Sequence, residues 1–146
     1  MSHLSIRAWM SGAPLTVGPK ENLSRARTLM RTAKVSALLV VDDGKLVGIL
    51  SERDIWEHCP TSAVVLTEQQ AEELLAQIRV GGVMALHPPV VTPETSLHEA
   101  AQLFAQSGRH GGLPVVENGV PVGLLTEENV MRAVVTLLED LFGKDG

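Results

Sequence analysis

The chain repeats itself, and this duplication limits the possible folds more than any single motif in it. With Met10 laid over Met84, Pro14 falls on Pro88, Val17 on Val91 and Pro19 on Pro93, while Leu23, Ala26 and Leu29 fall on Leu97, Ala100 and Leu103. One inserted residue near Gly111 shifts the register once. Beyond it Val40-Val41 lies on Val115-Val116, Gly44 on Gly119, Val47-Gly48 on Val122-Gly123, Leu50 on Leu125, and Ser51-Glu52 on Thr126-Glu127. Prolines, turn glycines and core-type aliphatics agree in register, which implies two copies of one structural unit.

Each copy reads the same way. A short strand around Leu15–Val17, or Val90–Val91 in the second copy, follows a proline. An amphipathic helix over Leu23–Arg31 carries Leu23, Ala26, Leu29 and Met30 at helical spacing. Its counterpart opens on Ser96-Leu97-His98-Glu99, a capping-box pattern. Leu38–Val41 and Leu46–Leu50 form two strands around the Asp43-Gly44 turn, and the second copy uses Asn118-Gly119, the strongest short hairpin signal. A last helix starts at Ser51 and again at Thr126. The expected class is α+β, a strand-helix-strand-strand-helix unit occurring twice, over 5–58 and 80–142, as a pseudo-two-fold pair. Residues 59–79 are an insertion in which Thr67-Glu68-Gln69-Gln70 begins a helix with Ala71, Leu74, Leu75 and Ile78 on one face. A linker helix packed on the flank is the plainer reading, and a partner-docking helix the sharper one.

Composition narrows the function. A chain of 146 residues with 45% hydrophobic content suits one domain, or two small ones sharing a core. The net charge of −5 argues against general affinity for phosphodiester backbones, and two Trp, two Phe and no Tyr leave few stacking platforms, so nucleic acid is not an expected partner. A lone Cys59 excludes an intramolecular disulfide and suits a reducing cytoplasm. No apolar run reaches the ~18 residues of a membrane span. His3, His58, His87, His98 and His110 lack metal-ligand spacing, and His58 beside Cys59 is a poor nucleophile–base geometry, so no metal site and no enzyme activity are expected. Gly108, Gly111 and Gly112 fit neither dinucleotide nor P-loop spacing and instead suggest close backbone packing. The last helix, over Glu127–Phe142, carries Val130, Val134, Leu137, Leu138, Leu141 and Phe142, more apolar surface than a small unit hides, which points to a homodimer.

The pattern Met10…Pro14…Val17 with Val40-Val41-Asp42…Gly44…Val47-Gly48-Ile49-Leu50-Ser51-Glu52-Arg53-Asp54 recurs. Its second occurrence is Met84…Pro88…Val91 with Leu113-Pro114-Val115-Val116-Glu117…Gly119…Val122-Gly123-Leu124-Leu125-Thr126-Glu127-Glu128-Asn129. This resembles the CBS-domain family, in which two repeats pair into one Bateman module, and the linker helix is similar to that of stand-alone bacterial members. The resemblance implies a regulatory cleft between the repeats that takes AMP, ADP, ATP or S-adenosylmethionine and signals through conformation or dimer contacts to an effector protein. It implies that the Ser51 hydroxyl meets phosphate and the Asp54 carboxylate meets the ribose hydroxyls. The slot for adenine is then Thr16, Val17, Val35, Ser36, Ala37, Leu38 and Leu39. In the second copy the corresponding residues are Thr126 and Asn129, with Val90, Val91, Arg109, His110, Gly112, Leu113 and Pro114; Arg109 and His110 are placed to reach phosphate, although surface solvation is the plainer role for His110.

Physical chemistry supports both that reading and a simpler one. Helix N-termini present unpaired N–H groups to anions, and a carboxylate suits paired ribose hydroxyls. Ser-x-x-Asp is equally an ordinary helix cap. The copies differ: Asn129 replaces Asp54, and Glu128 replaces Arg53, whose charge would favour a phosphate where the glutamate repels it. The first site is therefore expected to bind nucleotide and the second to bind weakly or stay empty. Leu39 stands where the family often has proline, as Pro114 does. The competing expectation is a structural dimerisation module with a vestigial, ligand-free cleft.

Overall fold

The computed structural model describes residues 4–58, 66–107 and 111–143. In chain order the strands are β1 (Ser11–Gly12), β2 (Thr16–Val17), β3 (Ala37–Asp42), β4 (Lys45–Ser51), β5 (Ala85–Leu86), β6 (Leu113–Glu117) and β7 (Val120–Leu125). The helices are α1 (Leu23–Ala33), α2 (Glu52–Glu57), α3 (Glu68–Leu75), α4 (Leu97–Ser107) and α5 (Glu127–Phe142). They divide into a contiguous unit, Leu15–Pro88, and a split unit made of Met1–Pro14 with Pro89–Gly146.

The contiguous unit is a four-stranded sheet in the order β2-β3-β4-β5. Strand β2 runs parallel to β3, with α1 as the crossover, and the other pairings are antiparallel. Asn22 caps α1 by accepting from the Arg25 N–H at 2.9 Å, and the helix stops at Lys34 in the left-handed region, φ 57°. The hairpin turn has Asp43 at φ 52° and Gly44 at φ 78°, the two positive values that a type I′ turn demands. One sheet face packs on the helices through Val17, Leu23, Ala26, Met30, Leu38, Val40, Leu50 and Ile55. The inserted helix α3 carries the reciprocal Thr67–Gln70 cap and buries Ala71 and Leu75. Glu68 at its start bridges Arg27 (2.9 Å) and Arg31 (2.8 Å) of α1, and the Arg27 guanidinium lies 5.1 Å from the Trp56 ring centre. The inserted helix α3 thus packs on the flank of its own unit.

The split unit has the sheet order β1-β7-β6, extended by a parallel bridge from Val91 to Val115 on β6. Its core joins Ile6, Val91, Leu97, Ala100, Leu113, Val115, Leu125, Val130 and Ala133. Ser96 caps α4 as its spacing predicts, accepting from the Glu99 N–H at 3.0 Å. The Asn118-Gly119 turn repeats the type I′ geometry, with φ 54° and 80°.

Here the two copies trade strands. β1, from the start of the first copy, pairs with β7 of the second (Gly12 with Gly123), whereas β5, from the start of the second, pairs with β4 of the first (Ile49 with Ala85). The sequence repeats and the compact units therefore divide the chain at different points. Two glycines at equivalent positions permit these pairings. A Cβ on Gly123 would lie 2.5 Å from the Ser11 carbonyl oxygen, and one on Gly48 would lie 2.8 Å from that of Ala85. Each traded strand leads into a left-handed residue followed by proline, Ala13-Pro14 or His87-Pro88, with both residues at φ 49°.

Candidate functional site

Strand alternation decides which of the expected slot residues can offer a side chain. In the contiguous unit Thr16, Leu39 and Ile49 form one cross-strand row, and Ala37 pairs with Ser51 on the same face. That face lies opposite the helix-packed core. Val17 and Leu38 point the other way, into the core, so they can offer a ligand only backbone atoms. Leu39 and Ala37 are buried, whereas Thr16, Val35 and Ser36 are exposed. The Leu39 N–H donates to the Leu15 carbonyl at 3.1 Å, and the Ser36 carbonyl accepts from the Glu52 N–H at 2.9 Å. These two bonds tie the slot segment to β2 on one side and to the start of α2 on the other.

Ser51 and Asp54 form a reciprocal cap. The Ser51 Oγ accepts from the Asp54 N–H at 3.0 Å, and Asp54 Oδ2 accepts from the Ser51 N–H at 2.9 Å. The capping role is realised, and the Ser51 side chain is buried in it. Arg53 donates from Nε to Glu57 at 2.7 Å, one turn further along. α2 has only six residues, with Glu52 and Asp54 in its first turn, so its dipole adds little attraction for an anion.

The split unit repeats this arrangement. Thr126 Oγ1 accepts from the Asn129 N–H at 3.1 Å, and Asn129 Oδ1 accepts from the Thr126 N–H at 2.9 Å. Val91 and Leu113 belong to the core, Pro114 is buried beside Leu124 on the opposite face, and Val90 is half exposed. Gly112 has φ 112°, and a Cβ there would lie 2.5 Å from the Leu125 carbonyl oxygen, so glycine is required by close backbone packing. Arg109, His110 and Gly108 lie outside the described residues, as does Cys59.

The caps make the difference between the copies chemically specific. With Oδ2 of Asp54 engaged, its other polar atom is an acceptor oxygen. In Asn129 the oxygen must face the Thr126 N–H, so the remaining atom is an NH2 donor. One position offers an anionic acceptor and its counterpart a neutral donor.

The CBS domain family profile matches residues 6–55 and 80–136, both copies of the repeat. The chain belongs to the CBS-domain family. This CBS pair is 31% identical over 121 residues to the CBS domain-containing protein YhcV of Bacillus subtilis, covering 83% of the chain and 79% of that protein. It is 33% identical over 117 residues to inosine-5'-monophosphate dehydrogenase of Korarchaeum cryptofilum, covering 80% of the chain but only 21% of the enzyme. Among solved structures it is similar to CBSX2 of Arabidopsis thaliana in complex with AMP, with 30% identity and a TM-score of 0.76 over 91% of this chain and 97% of that one. Among the described residues no helix is long and apolar enough to cross a membrane.

Proposed function

We propose that this CBS pair is a regulatory module that binds an adenine nucleotide at the strand ends of its repeats and passes the bound state to an effector protein or to a second copy of itself. The observation that carries this reading is its likeness, over nine-tenths of the chain, to a CBS pair in complex with AMP. The local geometry supports it. Thr16, Val35 and Ser36 are exposed beside the capped Ser51–Asp54 turn, and Asp54 keeps one carboxylate oxygen beyond its cap. AMP, ADP, ATP and S-adenosylmethionine are the ligands to test, with Thr16, Ala37, Leu39, Ser51, Arg53 and Asp54 forming the first site. Thr126, Asn129, Gly112, Pro114, Arg109 and His110 form the weaker second one. The module is not itself an enzyme, and the sole cysteine fits a cytoplasmic setting.

Self-association has its own support. Along α5 the side chains of Val130, Val134 and Leu137 pack on the core instead of standing exposed. Leu138, Leu141 and Phe142 remain at the surface and are joined there by Met131 and Val135, every one of the five at least half exposed. This stripe fits a homodimer, and it also favours the second reading, a structural dimerisation module whose cleft takes no ligand. A thermal-shift panel separates the two. A ligand at a hundredfold its Kd stabilises the native state by about 2.7 kcal/mol, so the melting temperature should rise with at least one adenine ligand. A flat panel together with flat calorimetry overturns the nucleotide reading and leaves the structural one.

A further inference from the structure

We infer that the first site is built for a nucleoside monophosphate and that Lys34 supplies the charge that recognises its single phosphate; this rests on the nucleotide-binding reading above. The charge around the site leads there. Glu52 and Asp54 occupy the first turn of α2 and Glu57 follows, while Arg53 is already bonded to Glu57. The helix is too short and too acidic to hold a phosphate by its dipole, and the Ser51 hydroxyl, whose oxygen accepts in the cap, has a single neutral hydrogen to donate. A phosphate brought to this end of the sheet needs a cation from elsewhere.

Lys34 is that cation. It sits at the left-handed end of α1, φ 57° and ψ 43°, where its backbone N–H closes the helix on Arg31 and Met30. A lysine held in a conformation that favours glycine sets the direction in which the chain leaves the helix. Two residues on, a span of at most about 7 Å, the Ser36 carbonyl is bonded to the first N–H of α2. The fold thus brings Lys34 to the same strand ends as Thr16, Val35 and Asp54. It makes no salt bridge among the described residues and is exposed. In the second copy the residue aligned with Lys34 is Gly108, so this cation belongs to the first copy alone. With Arg53 bonded to Glu57, Lys34 is the cation left to face a phosphate beside Glu52 and Asp54, and it offsets one phosphate better than three. Additional phosphates would add negative charge next to these carboxylates with only the Arg53–Glu57 pair nearby.

Calorimetry of the full chain with AMP, adenosine and ATP, without divalent cations, tests this on wild type, Lys34→Met and Lys45→Met. Lys45 lies at the far end of the same hairpin and serves as the control. Wild type should bind AMP more tightly than either adenosine or ATP. Lys34→Met should weaken AMP about fivefold, the scale of one solvent-exposed ion pair, and leave adenosine unchanged, with Lys45→Met altering neither. The inference is overturned, while the nucleotide reading stands, if ATP binds more tightly than AMP or if Lys34→Met affects adenosine and AMP alike or not at all. Absence of binding by all three ligands to wild type removes the nucleotide reading and the inference with it. Thermal melts of the variants check that they fold.

Discussion

Replacing Gly123 by alanine is the sharpest test of the traded strands. The new Cβ would meet the Ser11 carbonyl oxygen at 2.5 Å and the Met10 methyl end at 3.3 Å; the methionine can give way, but the closer contact is backbone and cannot. Either β1 moves off β7 or β7 bends. Overpacking of this kind costs roughly 1–3 kcal/mol, and each ladder bond lost with β1 adds about 1 kcal/mol. A total near 2 kcal/mol lowers the melting temperature by about 4–8 °C in a chain of this size. The matched control is its cross-strand partner Gly12, where a Cβ meets nothing within 4 Å. Differential scanning calorimetry of Gly123→Ala and Gly12→Ala reads the contrast directly. If Gly123→Ala melts within a degree of wild type, or if Gly12→Ala falls as far, then close approach of β1 is not why glycine stands at position 123.

Other outcomes follow from the same structure. Asp54→Ala should weaken nucleotide binding more than Asn129→Ala in titration calorimetry, and both should lose about 1 kcal/mol of stability with their caps; a larger binding loss from Asn129→Ala would reverse the assignment of the two sites. Glu68 has its carboxyl pulled below the ordinary glutamate value, first by the Arg31 hydrogen bond and then by Arg27. A depressed carboxylate stabilises above its unfolded pKa and loses that contribution as pH falls through the lower folded value. Acid titration followed by circular dichroism should therefore find the gap between wild type and Glu68→Gln full near neutral pH and closed in strong acid. On the proposed homodimer reading, Leu138→Glu with Leu141→Glu, which places charge in the exposed α5 stripe, should shift light scattering from dimer to monomer; a wild type that is already monomeric overturns that reading.

Much of this architecture is legible in the residues, for reasons that are local. Asp43-Gly44 and Asn118-Gly119 can adopt two successive positive φ values, so they specify the hairpins. Thr67 with Gln70 and Ser96 with Glu99 mark helix starts because their spacing satisfies orphan N–H groups. The exchange of β1 and β5 is not legible. Two-residue strands carry no periodicity, and their partners lie far along the chain. Only Gly48 and Gly123 hint at it, and a strand glycine also reads as a bulge. Of the residues expected to line the first site, Thr16, Ala37, Leu39 and Ser51 share one face, whereas period-two alternation sends Val17 and Leu38 to the other, which a list of slot residues does not reveal. Ser51 and Asp54 turned out to cap α2 whatever else they bind, since a capping box and a ligand motif have the same spelling. Nothing in the sequence singles out Lys34, because a lysine after a helix also suits the helix dipole, and only the Ser36–Glu52 bond reveals its neighbourhood.

The traded strands also set an order of assembly during synthesis. Every element of the contiguous unit lies between residues 15 and 88, so that unit can close while the second copy is still being made. The split unit cannot. Ile6, fully buried, donates its N–H to the Thr95 carbonyl, and β1 waits for β7. Residues 4–14 must therefore stay unpartnered on the nascent chain until the last hairpin emerges. A ribosome stalled once residue 88 has cleared the exit tunnel should carry one folded unit preceded by a protease-sensitive N-terminal segment, and that sensitivity should vanish only when β7 is released.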